Sequence, residues 1–234
     1  MTLPEVAEYL HLTEMDVGEL VRSDEIPCEQ SGDRVTFRCR EVDAWASQRI
    51  MGLSPERLRA HHRKSSVKHH DLSQQHALIP ELLKPEYVDP GLAAKTRSSV
   101  IREMVKRAVG TGLVNYPDDL LRSLDEREKM GTTALAGGVA MLHPTHHEPY
   151  LFEDSFILLA RTVQPIPFGC ADGRTTDLFF TLCCQDEHLH LHLLARLCMI
   201  CFHTDVLERL RAAPDAAAMC AELVACEEEV IKNG

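Results

Sequence analysis

The chain has 234 residues, a formal net charge of −11 and 44% hydrophobic residues. That length suits one large or two modest units with an ordinary core, and no run of about 18 apolar residues offers a membrane span. The acidic balance disfavours a surface coated by nucleic acid, although it leaves room for a local basic patch.

Met1-Thr2-Leu3-Pro4-Glu5 lacks the basic and apolar regions of a signal peptide, so a cytoplasmic protein is expected. The nine cysteines are an odd number without a secretion signal. They read as reduced, mostly buried thiols.

Residues 1–50 read as a small unit. Val6, Ala7 and Leu10 fall at helical spacing, as do Val17, Leu20 and Val21. Between them His11-Leu12-Thr13 forms a turn, and Thr13 with Asp16 resembles a capping box. Ile26-Pro27 ends the second helix. Cys28–Gln30 and Val35–Arg38 read as strands around Ser31-Gly32-Asp33, and a last helix holds Val42, Trp45 and Ala46. Helix, turn, helix, hairpin, helix is a winged helix-turn-helix pattern. The stretch from Leu3 to Arg49 resembles the excisionase-type domain, a relative of the MerR winged helices. The resemblance implies that the second helix enters the DNA major groove and the wing reaches the backbone. The candidate phosphate contacts are Arg22, Arg34, Arg38 and Arg40. Glu14, Asp16 and Glu19 on the recognition helix oppose them, because DNA affinity rests largely on neutralised phosphates. Protein contact or homodimer formation stays open as the alternative use of this unit.

Residues 51–79 change composition: Arg57, Arg59, His61, His62, Arg63, Lys64, Lys68, His69 and His70 sit among Ser and Gln. A solvated basic linker is the expectation, with contact to DNA phosphate as the alternative.

Residues 80–234 read as one α/β unit, a mixed β-sheet flanked by helices. Thr96–Ala108 is an amphipathic helix stopped by Gly110 and Gly112. Pro117-Asp118-Asp119 opens the next, with proline and acids in its first turn. Gly138–Leu142, Asp154–Ala160 and Asp177–Cys183 are short apolar runs expected as strands. Leu189–Cys201, Val206–Leu210 and Ala216–Ile231 are expected as helices. Cys198-Met199-Ile200-Cys201 lies in mid-helix behind an apolar stripe, so core thiols are expected rather than a redox pair. Trp45 and the phenylalanines are assigned to the core.

His143 closes the strand Gly138–Leu142, downstream of Arg127-Glu128, two threonines and the pair Gly137-Gly138. Imidazole is a nucleophile near neutral pH, with a free pKa of about 6.5. A guanidinium pairs with phosphate oxygens in a fork geometry. This combination points to phosphoryl relay. A zinc site from His143, His146, His147, His188, His190 and His192 is disfavoured, because alternation along a helix splays the middle residue away.

Three stretches, REKMGTTALAGGVAMLH, PIPFGCADGRTTDLFFTL and HLHLLARL, resemble the enzyme IIA domain of the mannitol/fructose type from the sugar phosphotransferase system, including its nitrogen-regulatory members. The resemblance implies a phosphoryl-carrier phosphotransferase with His143 as acceptor, phosphorylated HPr as donor and a cysteine on a IIB domain as the onward acceptor. It further implies His190 beside His143, Arg127 at the rim and Thr133 as a supporting hydroxyl. No cofactor or metal is required. This sequence departs from the pattern in Leu142, where the family has proline, and in the histidine-rich Pro144–Pro149. A regulator that couples phosphotransferase flux to DNA is the first expectation. A non-catalytic scaffold, or a IIA subunit serving a separate IIB, remains the alternative.

Overall fold

The computed structural model describes residues 1–10, 12–32, 34–52, 76–146 and 150–233. The predicted basic linker thus lies, for residues 53–75, outside the described residues. His147 to Pro149 of the histidine-rich segment lie outside them too.

Two short helices open the chain, α1 (Leu3–Tyr9) and α2 (Glu14–Arg22). Thr13 caps α2: its hydroxyl accepts from the Asp16 amide while Asp16 reaches back to the Thr13 amide. The second helix stops at Arg22, earlier than Ile26-Pro27 suggests, and Ile26 is buried in the connection. The wing is β1 (Glu29–Ser31) paired antiparallel with β2 (Arg34–Thr36), followed by α3 (Cys39–Met51).

The second region begins with a single turn, α4 (Ile79–Leu82), and a 3-10 turn at Pro85–Tyr87. Its sheet has five strands in the order β3-β6-β7-β5-β4: β3 (Val88–Leu92), β4 (Ala134–Leu135), β5 (Val139–Leu142), β6 (Phe156–Ile166) and β7 (Thr176–Cys183). The β3–β6 and β5–β7 pairs are parallel and the others antiparallel. The edge strands β3 and β4 have no apolar run that marks them in the sequence. Pro90-Gly91 interrupts β3 with a register shift, which an edge position tolerates because it needs fewer ladder donors.

Helices cover both faces: α5 (Arg97–Gly110) and α6 (Pro117–Met130) on one, α7 (Glu187–His203), α8 (Val206–Ala212) and α9 (Ala216–Asn233) on the other. Strand β5 shows why its run is continuously apolar. Ala140 and Leu142 pack with α5 and α6, while Val139 and Met141 pack with α7 and α9. The hairpin that feeds β5 uses Gly137 and Gly138 at φ of +91° and +80°. At a φ of +80°, Gly138 holds a conformation that L side chains rarely adopt, so glycine is required there.

Residues 1–52 and the α7 side of the sheet share one hydrophobic cluster, which joins Val6, Leu10, Val42 and Ile50 to Leu191 and Leu194. The main seam is α3 against α7. Cys198 and Cys201 lie inside that cluster, and burial pushes the Cys198 thiol up to about 12. The phenylalanines of the sheet are core. Trp45 differs: it is only half-buried, with the Arg49 guanidinium 4.9 Å from its ring centroid. Among the described residues no helix is long and apolar enough to cross a membrane.

Candidate functional site

Three elements of the second region and one helix of the first converge on His143. Strand β5 delivers it. The alternation of the strand turns position 143 toward the α7 side, in line with Val139 and Met141. The His143 Nδ1 lies 2.8 Å from the Met141 carbonyl oxygen, and the Arg127 Nε lies 2.8 Å from the His143 Nε2. A carbonyl only accepts and a guanidinium only donates. The proton is therefore on Nδ1, and Nε2 presents its lone pair toward Arg127.

Arg127 sits in the last turn of α6, where a cation complements the helix carbonyls. Its Nη1 donates to the Gly131 carbonyl at 3.0 Å and its Nη2 to Gln48 Oε1 at 3.4 Å. The neighbouring Glu128 is buried, which pushes its carboxyl up. Its Oε2 accepts from both the Thr133 amide and the Thr133 hydroxyl, at 3.1 and 2.7 Å. The Thr133 hydroxyl thus serves the Glu128 carboxylate, and the Thr133 carbonyl takes the Met141 amide. Thr133 shapes the segment that carries His143 without pointing its hydroxyl at the ring.

On α7, Asp186 caps the helix by accepting from the Leu189 amide. This sets the first turn so that His190 faces His143, with ring centroids 4.8 Å apart. The Ser47 hydroxyl of α3 lies 3.3 Å from His190 Nε2. The sequence places Arg127 at a rim, but the structure buries it. Arg127, His143 and His190 are 2%, 1% and 0% exposed. The difference has a physical reason: α3 lies over them, through Ser47 on His190 and Gln48 on Arg127.

Ser47 and Gln48 are the site residues that the sequence does not announce. A partial signal exists on α3, where Asp43 and Ser47 stand four apart in a stripe otherwise filled by apolar residues. Asp43 accepts from the Tyr9 hydroxyl at 2.8 Å. Burial chiefly, with the nearby Glu187, pushes the Asp43 carboxyl from 3.8 up to about 7. The folded chain therefore holds a proton that the unfolded chain releases above about 4. The stabilisation is full below that pH and is lost as pH rises through about 7. The unfolding free energy is expected to fall across this window in urea titrations, and Asp43→Asn to flatten the fall.

The four candidate DNA contacts are exposed and stand apart from this cluster. Arg22 lies 4.0 Å from Glu19, and Arg38 is paired with both Glu29 and Glu41. Arg34 lies in β2 and Arg40 in the first turn of α3.

Comparison with known proteins fits this arrangement. Residues 1–50 match the helix-turn-helix domain family, and residues 81–225 match the family described as phosphoenolpyruvate-dependent sugar phosphotransferase system, EIIA 2. A nitrogen regulatory protein of Bradyrhizobium diazoefficiens is 33% identical over 143 residues, which are 60% of this chain and 91% of that protein. The nitrogen regulatory protein IIA-Ntr of Neisseria meningitidis superposes with a TM-score of 0.57 at 24% identity, over 62% of this chain and 99% of its own. Mannitol enzyme IIA of Escherichia coli, solved in complex with phosphorylated enzyme IIB, superposes with a TM-score of 0.53 at 20% identity, over 61% of this chain and 97% of its own. The two structural likenesses show the fold. With a family match across most of its length, and with the five-stranded mixed sheet in place, this chain belongs to the EIIA 2 family of the phosphoenolpyruvate-dependent sugar phosphotransferase system.

Proposed function

We propose that His143 accepts a phosphoryl group at Nε2 from phosphorylated HPr, and that residues 1–50 couple this event to a regulatory output, with DNA as the partner. The observation that carries the reading is the fixed tautomer. The Met141 carbonyl holds the proton on Nδ1, so the nucleophilic lone pair is on the nitrogen that faces Arg127.

The step balances simply. The Nε2 lone pair forms the new bond to phosphorus. The bond from phosphorus to the donor breaks and leaves its electron pair on the donor. Nδ1 keeps its proton and its bond to Met141. The Arg127 Nε–H, which now donates to Nε2, is released to donate to a phosphoryl oxygen. Arg127 and His190 together supply donors for charge spread over three oxygens, and positioning supplies most of the catalysis. No step draws on a metal or cofactor.

The partner reading has separate support. A relative was solved in complex with phosphorylated enzyme IIB, which supports a IIB domain as a further partner. The helix-turn-helix match and the exposed Arg22, Arg34 and Arg40 support a nucleic-acid contact, with Glu14 and Glu19 on the exposed face of α2 acting against it.

The test is incubation with phosphoenolpyruvate, enzyme I and HPr. An acid-labile, base-stable label that maps by mass spectrometry to the peptide holding His143 is the expected result. An unlabelled protein, or a label that maps elsewhere, would overturn the assignment.

A further inference from the structure

We infer that α3 is a built-in cover for the phosphoryl-acceptor site, and that its docking on α7 and the phosphorylation of His143 exclude one another. This rests on the acceptor reading of His143 and adds to it a regulatory contact made by the chain's own first region.

Access sets the conflict. Transfer requires the reacting atoms to approach within about 3–3.5 Å in line. His143 is 1% exposed, and its Nε2 is already in contact with Arg127 at 2.8 Å. The groups that flank it are held from α3. Ser47 lies on His190 at 3.3 Å, and Gln48 lies on Arg127 at 3.4 Å. Gln48 also presses on Gly131, where an added Cβ would meet its Oε1 at 3.3 Å. A donor protein cannot present phosphorus to Nε2 while α3 occupies this place.

The contact is built as an interface over several residues. Ser47 is fully buried on the seam. The Cys39 thiol at the start of α3 lies 3.3 Å from Glu187 Oε1 at the start of α7, and the Tyr9 ring lies 6.1 Å from that of His188. Apolar residues of both regions close the rest, with Trp45, Ala46 and Leu191 around one small cavity.

Charge makes the exclusion reciprocal. A phosphoryl group brings about −1.5 to −2 charges and three strong acceptor oxygens. These draw the Arg127 guanidinium away from Gln48. Docking of α3 must disfavour phosphorylation by the same free energy with which phosphorylation weakens docking. Release of α3 would then free the whole first region for its own partner.

Two full-length variants test the cover. Ser47→Trp drives a wedge between α3 and His190. Glu187→Cys, in a Cys28→Ser background and joined to Cys39 by a short bifunctional thiol reagent, holds α3 down. Two readouts are taken: the initial rate of labelling by phosphorylated HPr, and the rate at which diethyl pyrocarbonate modifies His143 by peptide mass spectrometry. The wedge is expected to raise both rates about 10-fold or more, since an acceptor that is open only part of the time reacts in proportion to its open fraction. The tethered protein is expected to lose both. Equal rates in the tethered, wild-type and wedged proteins would overturn the cover. A wedge that exposes His143 to the reagent, with no label on any form, would support the cover and overturn the acceptor reading instead.

Discussion

His143→Ala is expected to abolish the phosphoryl label, and Arg127→Ala to keep the acceptor but slow its labelling by about 100-fold. The first follows because His143 supplies the accepting lone pair: its Nδ1 lies on a backbone carbonyl and its Nε2 in front of a guanidinium. The second follows from charge. Loss of one preorganised donor to a developing anion typically costs about 100- to 1,000-fold in rate. Arg127→Lys should fall between wild type and Arg127→Ala, because an ammonium keeps the charge but loses the fork that reaches His143, Gly131 and Gln48 together. Removing Arg127 also frees Gln48 and loosens α3, which works in the opposite direction. The comparison is therefore best made in the Ser47→Trp background, where docking no longer contributes. A rate for Arg127→Ala within about 3-fold of its parent would remove Arg127 from the chemistry.

Glu227→Ala is expected to destabilise the chain by about 3–5 kcal/mol in urea denaturation. Glu227 and Arg196 form an ion pair at 2.9 Å with both side chains fully buried between α9 and α7. Glu227 does more than neutralise Arg196. Its two oxygens accept the Leu78 and Ile79 amides at 3.0 and 2.9 Å, which are donors at the start of α4. The Arg196 Nη1 also donates to the His76 carbonyl. The pair therefore anchors the first described residues after position 75 to the core of the second region. Alanine would leave a buried cation without its counter-ion and two buried amides without their acceptor, which is the costly way to break such a pair. A volume-matched apolar replacement of both residues would lose less, because it removes the charges together. A fall below about 1 kcal/mol for Glu227→Ala would show that water reaches the pair.

Much of the architecture was legible in the residues. The capping box of Thr13 and Asp16 and the proline start of α6 mark helix ends by local hydrogen-bond chemistry alone. The apolar runs of β5, β6 and β7 mark buried strands, because both faces are covered. Strands β3 and β4 are not legible in the sequence for the complementary reason. Val88-Asp89-Pro90-Gly91-Leu92 reads as a turn, and a two-residue strand has no period to detect. Of the site residues, His143, His190 and Arg127 were marked by motif, and Thr133 was marked as a supporting hydroxyl. The structure directs that hydroxyl to Glu128, a partner five residues earlier that the motif does not specify.

By itself, then, the sequence determined the two regions, the order of their main helices and central strands and the histidine that follows β5, because each depends on interactions within a few residues or on a short apolar period. Only the tertiary structure decided that α3 lies over His190 and Arg127, that Ser47 and Gln48 reach into the site, and that Arg127 is buried. Those contacts join residues 79 and 143 positions apart. Such pairings arise from the fit of two packed surfaces, and no local propensity or spacing encodes which surface will meet which.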